Sequence, residues 1–367
     1  MNNKTAPHRS STLKNCLLHY GTLFYQRISG CRWKQKDLCK ILVESSASFG
    51  PQDWTRTLDS YFEGWTRCCD VQFAANRFER HALLPEADIY VASWINSLHI
   101  SQSRKLKWLH LTTTGVDFLE GIDMPVGLRI TTSGGIAAEG IAEHVLGLMI
   151  SLDRRFDIAV RRQSRWIWSQ KGILENIRCL RGRTVGIIGL GKSGQAIANV
   201  SLSLGMKIIG LCRTARPKTD GIEIVCGMEN LPYLLSNSDF VVLCIPLTDA
   251  TRRLIGGDQL NLMKSTAYLI NISRGELLDE KALAQALRKK RIAGAALDVL
   301  VNEPPSRCNV LRFCRNLIIT PHIAGNIHTF KNEIRERFVT MLRNFIVKET
   351  EKRTSDFSQK KGNVSQT

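Results

Sequence analysis

The chain has 367 residues, 43% of them apolar and 23% charged, with a formal net charge of +18. That length can hold two domains with separate cores, and the composition excludes wholesale disorder. No apolar stretch approaches the length of a membrane span, so no membrane partner is expected.

The eleven cysteines are scattered without a Cys-x-x-Cys. Metal-ligand spacing is therefore absent, no metal is expected, and a reduced, cytoplasmic setting fits better than a disulfide framework. The positive charge is concentrated, with +7 in residues 1–36 and +7 in residues 154–183. No helix-turn-helix, zinc finger or aromatic-plus-basic platform accompanies it, so no nucleic-acid partner is expected. A basic field drawing in anionic small molecules accounts for it equally well.

Residues 1–36 contain no Asp or Glu, and 1–37 read as a basic N-terminal extension outside the fold. An organelle transit peptide is the other reading of that leader. Strand-like runs then follow at Lys40–Glu44, Val71–Phe73, Asp88–Ala92, Lys107–Leu111 and Arg129–Thr132, separated by helix-length stretches. Such alternation predicts βα units around a parallel sheet. From Glu139, the residues Ile141, Val145, Leu148, Met149, Leu152, Phe156 and Val160 recur at helical spacing. A continuous helix to Arg165 would run about 40 Å and connect two domains. Arg154, Arg155, Arg161, Arg162 and Arg165 suit its C-terminal dipole, and Trp166 and Trp168 follow as core or subunit contact.

The organising stretch is 183–216. Val185, Ile187 and Ile188 end in Gly189-Leu190-Gly191-Lys192-Ser193-Gly194, a helix pattern follows, and a second apolar run spans Ile208–Leu211. This is the strand–turn–helix–strand setting of a dinucleotide fingerprint. Gly189 allows the tight turn, Gly191 the close approach of a pyrophosphate, and Gly194 the packing of helix on strand. The helix start then offers N–H groups and a positive dipole end to phosphates. Further runs at Phe240–Ile245, Tyr268–Ile272, Ala293–Leu297 and Leu317–Ile319 complete a doubly wound sheet. Asp279 caps a helix reaching Lys290, Asn332–Val347 reads as a last amphipathic helix, and 348–367 reads as a disordered tail.

Three stretches place polar residues just past strand ends, where open α/β sheets bind ligands: Asn271-Ile272-Ser273-Arg274-Gly275, Asp298 to Glu303-Pro304, and Thr320-Pro321-His322. Each alone reads equally as a salt bridge, a turn cap or a loop residue.

In this order after the fingerprint, together with Thr113-Thr114-Gly115-Val116-Asp117, Ala142-Glu143-His144 and Ile245-Pro246-Leu247-Thr248, they resemble the D-isomer-specific 2-hydroxyacid dehydrogenases. The resemblance covers roughly 38–347. It implies an α/β fold of two domains, a Rossmann doubly wound parallel-sheet cofactor domain at 139–325 and a flavodoxin-like substrate domain at 38–138 and 326–347. It also implies reversible NAD(P)H-dependent reduction of a small 2-oxo acid to the D-2-hydroxy acid, as in glyoxylate/hydroxypyruvate reductases, and a homodimer.

By the same resemblance His322 is the general acid, and Glu303 contacts its other ring nitrogen and favours imidazolium. Arg274 binds the substrate carboxylate and polarises the oxo group, while the backbone N–H groups of Thr114 and Gly115 hold that carboxylate from the first domain. Asp298 accepts from the nicotinamide carboxamide, and Ile245, Pro246 and Ile272 join the cofactor site. The stretch Ser306–Asn316 departs from the family pattern, with Cys308, Arg312, Cys314 and Arg315 where relatives carry a Pro-Leu-Trp type sequence. Corepressors of the C-terminal-binding-protein type resemble the same family and keep the catalytic trio, so a cofactor-sensing binding protein is the alternative.

The choice of nicotinamide cofactor rests on an absence. NAD sites of this kind carry an acid at the end of the second strand, and here that position is Cys212, followed by Arg213, Thr214 and Arg216. A thiol cannot accept two ribose hydrogen bonds. An arginine can pair with a 2′-phosphate and Thr214 can donate to it, so NADP is expected ahead of NAD.

Overall fold

The computed structural model describes residues 38–45, 50–96, 100, 103, 105–214, 219–325 and 330–362, with side chains as far as Lys348. The expected extension at 1–37, and Arg216 with its neighbours, lie outside the described residues. The chain divides into two units, Met1–Gly134 with Thr329–Thr367, and Gly135–His328.

The first unit runs β1 (Cys39–Glu44), α1 (Pro51–Tyr61), β2 (Cys69–Ala74), α2 (Arg77–Leu83), β3 (Ile89–Ala92), β4 (Trp108–Leu111) and β5 (Arg129–Thr132). The strands pair in parallel in the order β2-β1-β3-β4-β5, the 2-1-3-4-5 order of flavodoxin-like sheets. Central strands β3 and β4 are buried along their whole length, which is why they read as apolar runs, interrupted only by His110 in β4.

The second unit begins with α3 (Ala138–Asp153) and α4 (Phe156–Gln163). The single helix expected over 139–165 is therefore broken. Arg155 takes the left-handed conformation, φ 56°, which ends regular helix. The break sits where buried Asp153 pairs with Arg183, whose guanidinium lies 4.4 Å over the Phe240 ring. Part of the arginine cluster is structural: Arg155 and Arg161 both meet the Asp157 carboxylate.

There follow β6 (Thr184–Ile188), α5 (Lys192–Ser203), β7 (Lys207–Cys212), β8 (Ile222–Cys226), α6 (Leu231–Asn237), β9 (Phe240–Leu243), α7 (Gly257–Leu262), β10 (Tyr268–Asn271), α8 (Glu280–Arg288), β11 (Gly294–Leu297) and β12 (Leu317–Ile319). The sheet order is β12-β11-β10-β9-β6-β7-β8. From β8 inwards this is the 3-2-1-4-5-6 order of dinucleotide-binding sheets with one added strand, and the order reverses between β6 and β9. Strand β8 was not among the expected elements. It is an edge strand, half-buried, with Glu223 inside it, so its apolar signal is weak.

The chain returns to the first unit as α9 (Phe330–Gly362). Phe338, Leu342 and Ile346, four residues apart, bury one face beside Trp54, Leu58 and Trp108. Truncating Phe338, whose ring lies 5.5 Å from Trp54 and 5.3 Å from Trp108, would cost about 3–5 kcal/mol. The tail expected to be disordered from Lys348 is helical to Gly362 instead. Residues 348–361 contain no Gly or Pro and are rich in Lys, Glu, Arg and Gln, good helix formers that extend a helix already nucleated by packing.

Candidate active site

The fingerprint turn joins β6 to α5 at the point where the strand order reverses. Gly189 has φ 104°, and a Cβ there would lie 2.4 Å from the Cys244 carbonyl oxygen at the end of β9. A Cβ on Gly194 would lie 2.0 Å from the Gly189 oxygen. Both positions therefore need glycine because backbone closes on backbone. Gly191, the N-cap of α5, differs: a Cβ there would meet nothing within 4 Å. The open side of the turn is at Gly191, and the first intrahelical bond runs from Gln195 N to Gly191 O. The N–H groups of Lys192, Ser193 and Gly194 thus precede the helical ladder, as an anion-binding helix start requires. Leu190 is 3% exposed and fills the space over Gly210, where a Cβ would come within 2.2 Å of it. This cradle fits a dinucleotide.

At the end of β7, Cys212 is buried, while Arg213 and Thr214 are exposed. Past β9, Ile245 is half-buried against the core, Pro246 is exposed, and the Ile245 carbonyl accepts from the Ser273 hydroxyl. Ile272 and Arg274 follow β10. Asn271 fixes their turn by donating to the Arg274 carbonyl at 2.7 Å and accepting from Ser273 N at 3.1 Å. Gly275 lies so close to the Leu300–Val301 backbone that a Cβ would come within 2.0 Å of the Leu300 carbonyl carbon. The Arg274 turn is thereby pressed against the loop that carries Glu303.

Glu303 and His322 meet directly: His322 Nδ1 lies 2.6 Å from Glu303 Oε2. Glu303 Oε1 accepts from Leu300 N at 2.8 Å, so one oxygen anchors the carboxylate and the other faces the imidazole. Both side chains reach solvent, His322 at 51% and Glu303 at 36%, leaving the ring open to a ligand.

His322 itself has φ 53°, an uncommon conformation for a non-glycine residue. Asp298, whose side chain is 1% exposed, accounts for it. Its Oδ1 accepts from Ile323 N at 2.9 Å and from the Thr320 hydroxyl at 2.5 Å. Its Oδ2 accepts from Ala324 N at 2.9 Å, while the Asp298 carbonyl accepts from His322 N at 2.8 Å. His144 Nε2 on α3 completes the set at 3.2 Å from Thr320 Oγ1. Thr320 and His144 lie in the quoted motifs, yet no local pattern showed that they brace the histidine loop.

In the first unit, Thr114 and Gly115 lie in the loop after β4. Thr114 is exposed, Gly115 is half-buried, and the Thr113 hydroxyl donates to the Gly115 carbonyl at 3.4 Å.

A seven-stranded dinucleotide-binding sheet with a carboxylate–imidazole pair at its strand ends defines an oxidoreductase-type α/β unit. The profile described as D-isomer specific 2-hydroxyacid dehydrogenase, NAD binding domain, matches residues 146–324. A glycerate dehydrogenase of Methylorubrum extorquens is 35% identical over 232 residues, 61% of this chain and 71% of that protein. A glyoxylate reductase of Korarchaeum cryptofilum is 36% identical over 214 residues, 57% of this chain and 64% of that protein, under two thirds of its length. Among solved structures, a D-isomer specific 2-hydroxyacid dehydrogenase from Xanthobacter autotrophicus Py2, in complex with NADPH and MES, superposes with a TM-score of 0.69. It is 28% identical, and the match covers 82% of this chain and 92% of that one. The chain belongs to the D-isomer specific 2-hydroxyacid dehydrogenase family of NAD(P)-dependent enzymes.

Proposed function

We propose that this protein reduces a small 2-oxo acid to the D-2-hydroxy acid with NADPH in preference to NADH. The observation that carries the reading is the His322–Glu303 pair, 2.6 Å apart and open to solvent in the same unit as the fingerprint. The nicotinamide, when bound, supplies the hydride. His322 then donates its Nε2 proton to the oxo oxygen, and Glu303 holds the imidazolium through Nδ1. Arg274 pairs its planar fork with the substrate carboxylate. Asp298 holds the His322 loop and keeps one lone pair for the carboxamide. Names of relatives point to glyoxylate and hydroxyacids of glycerate size.

NADPH preference follows from Cys212 at the acid position and the exposed Arg213 and Thr214 after it. A homodimer is part of the same reading. Trp166 and Trp168, 97% and 98% exposed, offer apolar surface that a second copy would cover.

The test is a panel of glyoxylate, hydroxypyruvate, pyruvate, phenylpyruvate and branched-chain 2-oxo acids, each assayed with NADPH and NADH, repeated in Arg213→Ala at fixed ionic strength. The expected result is a higher kcat/KM with NADPH, reduced in the variant. A wild-type preference for NADH overturns the cofactor assignment, and no turnover of any 2-oxo acid overturns the reaction.

A further inference from the structure

Cys212 and Cys226 stand directly opposite each other at the ends of β7 and β8. Their sulfur atoms are 3.4 Å apart. Neighbouring strands are spaced about 4.7–4.9 Å, inside the Cα range of about 4.4–6.8 Å that a disulfide spans. The backbones are held in register there, because Gly227 N donates to the Cys212 carbonyl at 3.0 Å. Closing the sulfurs to a bond of about 2.0 Å therefore falls to side-chain rotation and to the turn after Cys212. Access differs between the two: Cys212 is 8% exposed and Cys226 is half-buried. Among the described residues the other close thiols, Cys68 and Cys69 at 3.8 Å, are sequence neighbours and both buried, out of an oxidant's reach.

We propose that Cys212 and Cys226 are a redox-active dithiol, whose oxidation to a disulfide weakens dinucleotide binding at the end of the second fingerprint strand. With hydrogen peroxide as oxidant, the Cys226 thiolate attacks a peroxide oxygen and becomes a sulfenic acid, releasing one water after proton uptake. Cys212 sulfur then displaces that oxygen as a second water, forming the S–S bond. Two thiols are oxidised, one peroxide is reduced, and thiol reductants reverse the change.

The coupling runs through Thr214. Its carbonyl accepts from the Cys212 thiol at 3.1 Å. A disulfide removes that hydrogen and draws Cys212 sulfur towards β8, so the Arg213–Thr214 turn loses a tether. This step rests on the reading that Arg213 and Thr214 face the cofactor ribose.

The experiment takes the reduced full-length protein, treats it with hydrogen peroxide, blocks remaining thiols by alkylation and maps disulfides by mass spectrometry. NADPH affinity is titrated in parallel by fluorescence. The expected result is a linked peptide pair joining Cys212 to Cys226, lighter by two hydrogens than the reduced peptides. NADPH affinity should fall about twofold to tenfold, the worth of one hydrogen bond, and return with dithiothreitol. Cys226→Ser and Cys226→Ala should bind NADPH as the reduced wild type does and ignore the oxidant. Absence of the linked peptide overturns the dithiol. A linked peptide with unchanged NADPH affinity, or an affinity loss that persists in both Cys226 variants, overturns the coupling. Reduced protein that binds neither nucleotide overturns the cofactor reading and the coupling with it, while the peptide map still reports on the dithiol by itself.

Discussion

Each unit is a parallel sheet with a histidine near the end of a strand, and the two histidines are treated in opposite ways. His110, on β4 of the first unit, is fully buried. Its neighbours are hydroxyls: Nδ1 lies 2.8 Å from Thr131 Oγ1, and Nε2 lies 3.3 Å from Ser133 Oγ. Thr131 Oγ1 already accepts the Trp108 indole N–H at 2.7 Å, so its own hydrogen can serve Nδ1, which suits a neutral ring. Burial first, and the nearby Arg337 charge second, push this imidazole down to about 4. His322 in the second unit is half-exposed and faces a carboxylate. His110 is held among hydroxyls away from solvent, whereas His322 is presented at the surface beside a carboxylate. The difference teaches that the chemistry resides in the loops the sheet presents, since both sheets share strand direction and buried central strands.

The largest effect should come from removing the second histidine. His322→Ala is expected to lower kcat/KM for the best 2-oxo acid by about two to four powers of ten, the usual worth of a positioned general acid. NADPH affinity, titrated by fluorescence, should be unchanged. A variant with near wild-type turnover would erase the distinction drawn between the two rings.

His110 yields a stability effect. Its folded value lies below the unfolded reference of 6.5, so the unfolded chain binds the extra proton between about pH 6.5 and 4. Stability from this ring is thus complete above pH 6.5 and is lost as pH falls towards 4, by roughly 3 kcal/mol. Urea unfolding can follow it through tryptophan emission, because Trp54 and Trp108 are buried in this unit while Trp166 and Trp168 are exposed. His110→Asn should flatten the acid slope. Identical slopes in variant and wild type would mean that the ring is not held neutral.

Much of this was legible in the chain, for physical reasons. Central strands buried on both faces read as apolar runs, and Gly189 and Gly194 are glycines because backbone meets backbone there. Glu303 and His322 could be named because their motifs follow the fingerprint in a fixed order. What escaped depends on partners distant in sequence. The helix break at Arg155 accompanies an ion pair between Asp153 and Arg183. Strand β8 is a half-buried edge with a weak pattern, and the tail beyond Lys348 prolongs a helix that packing nucleates elsewhere. Asp298 looked like a ligand contact alone, and only the fold shows both its oxygens holding the loop of His322. Neutral His110 was invisible, since hydroxyl neighbours on the next strand leave no local mark.

Arg274 tests whether the second unit's open strand ends grip an anion by geometry or by charge alone. Arg274→Lys keeps the charge and loses the fork, and hydrogen bonds to charged groups contribute about 1.5–3 kcal/mol each. A fall of about tenfold or more in kcat/KM is expected, with KM for the oxo acid moved more than KM for the cofactor. Equal activity would place the substrate carboxylate elsewhere.

The finest test changes only the partner of His322. Glu303→Gln is nearly isosteric and can still bond Nδ1, so the ring should stay in place. What it loses is the negative charge 2.6 Å from that nitrogen. In reduction the ring gives up its proton, and in the reverse direction it takes one, so the carboxylate offsets the charge on the imidazolium through a charge-assisted hydrogen bond. A neutral amide makes a weaker bond, so kcat should fall about threefold to tenfold, the difference between a charged and a neutral hydrogen bond. KM for the oxo acid should change far less. A second consequence separates charge from support. Glu303 also accepts from Leu300 N at 2.8 Å, and glutamine can accept that bond through its carbonyl oxygen. Thermal stability of the second unit should then stay close to wild type. An unchanged kcat with unchanged stability would show that the ring draws nothing from Glu303 beyond position.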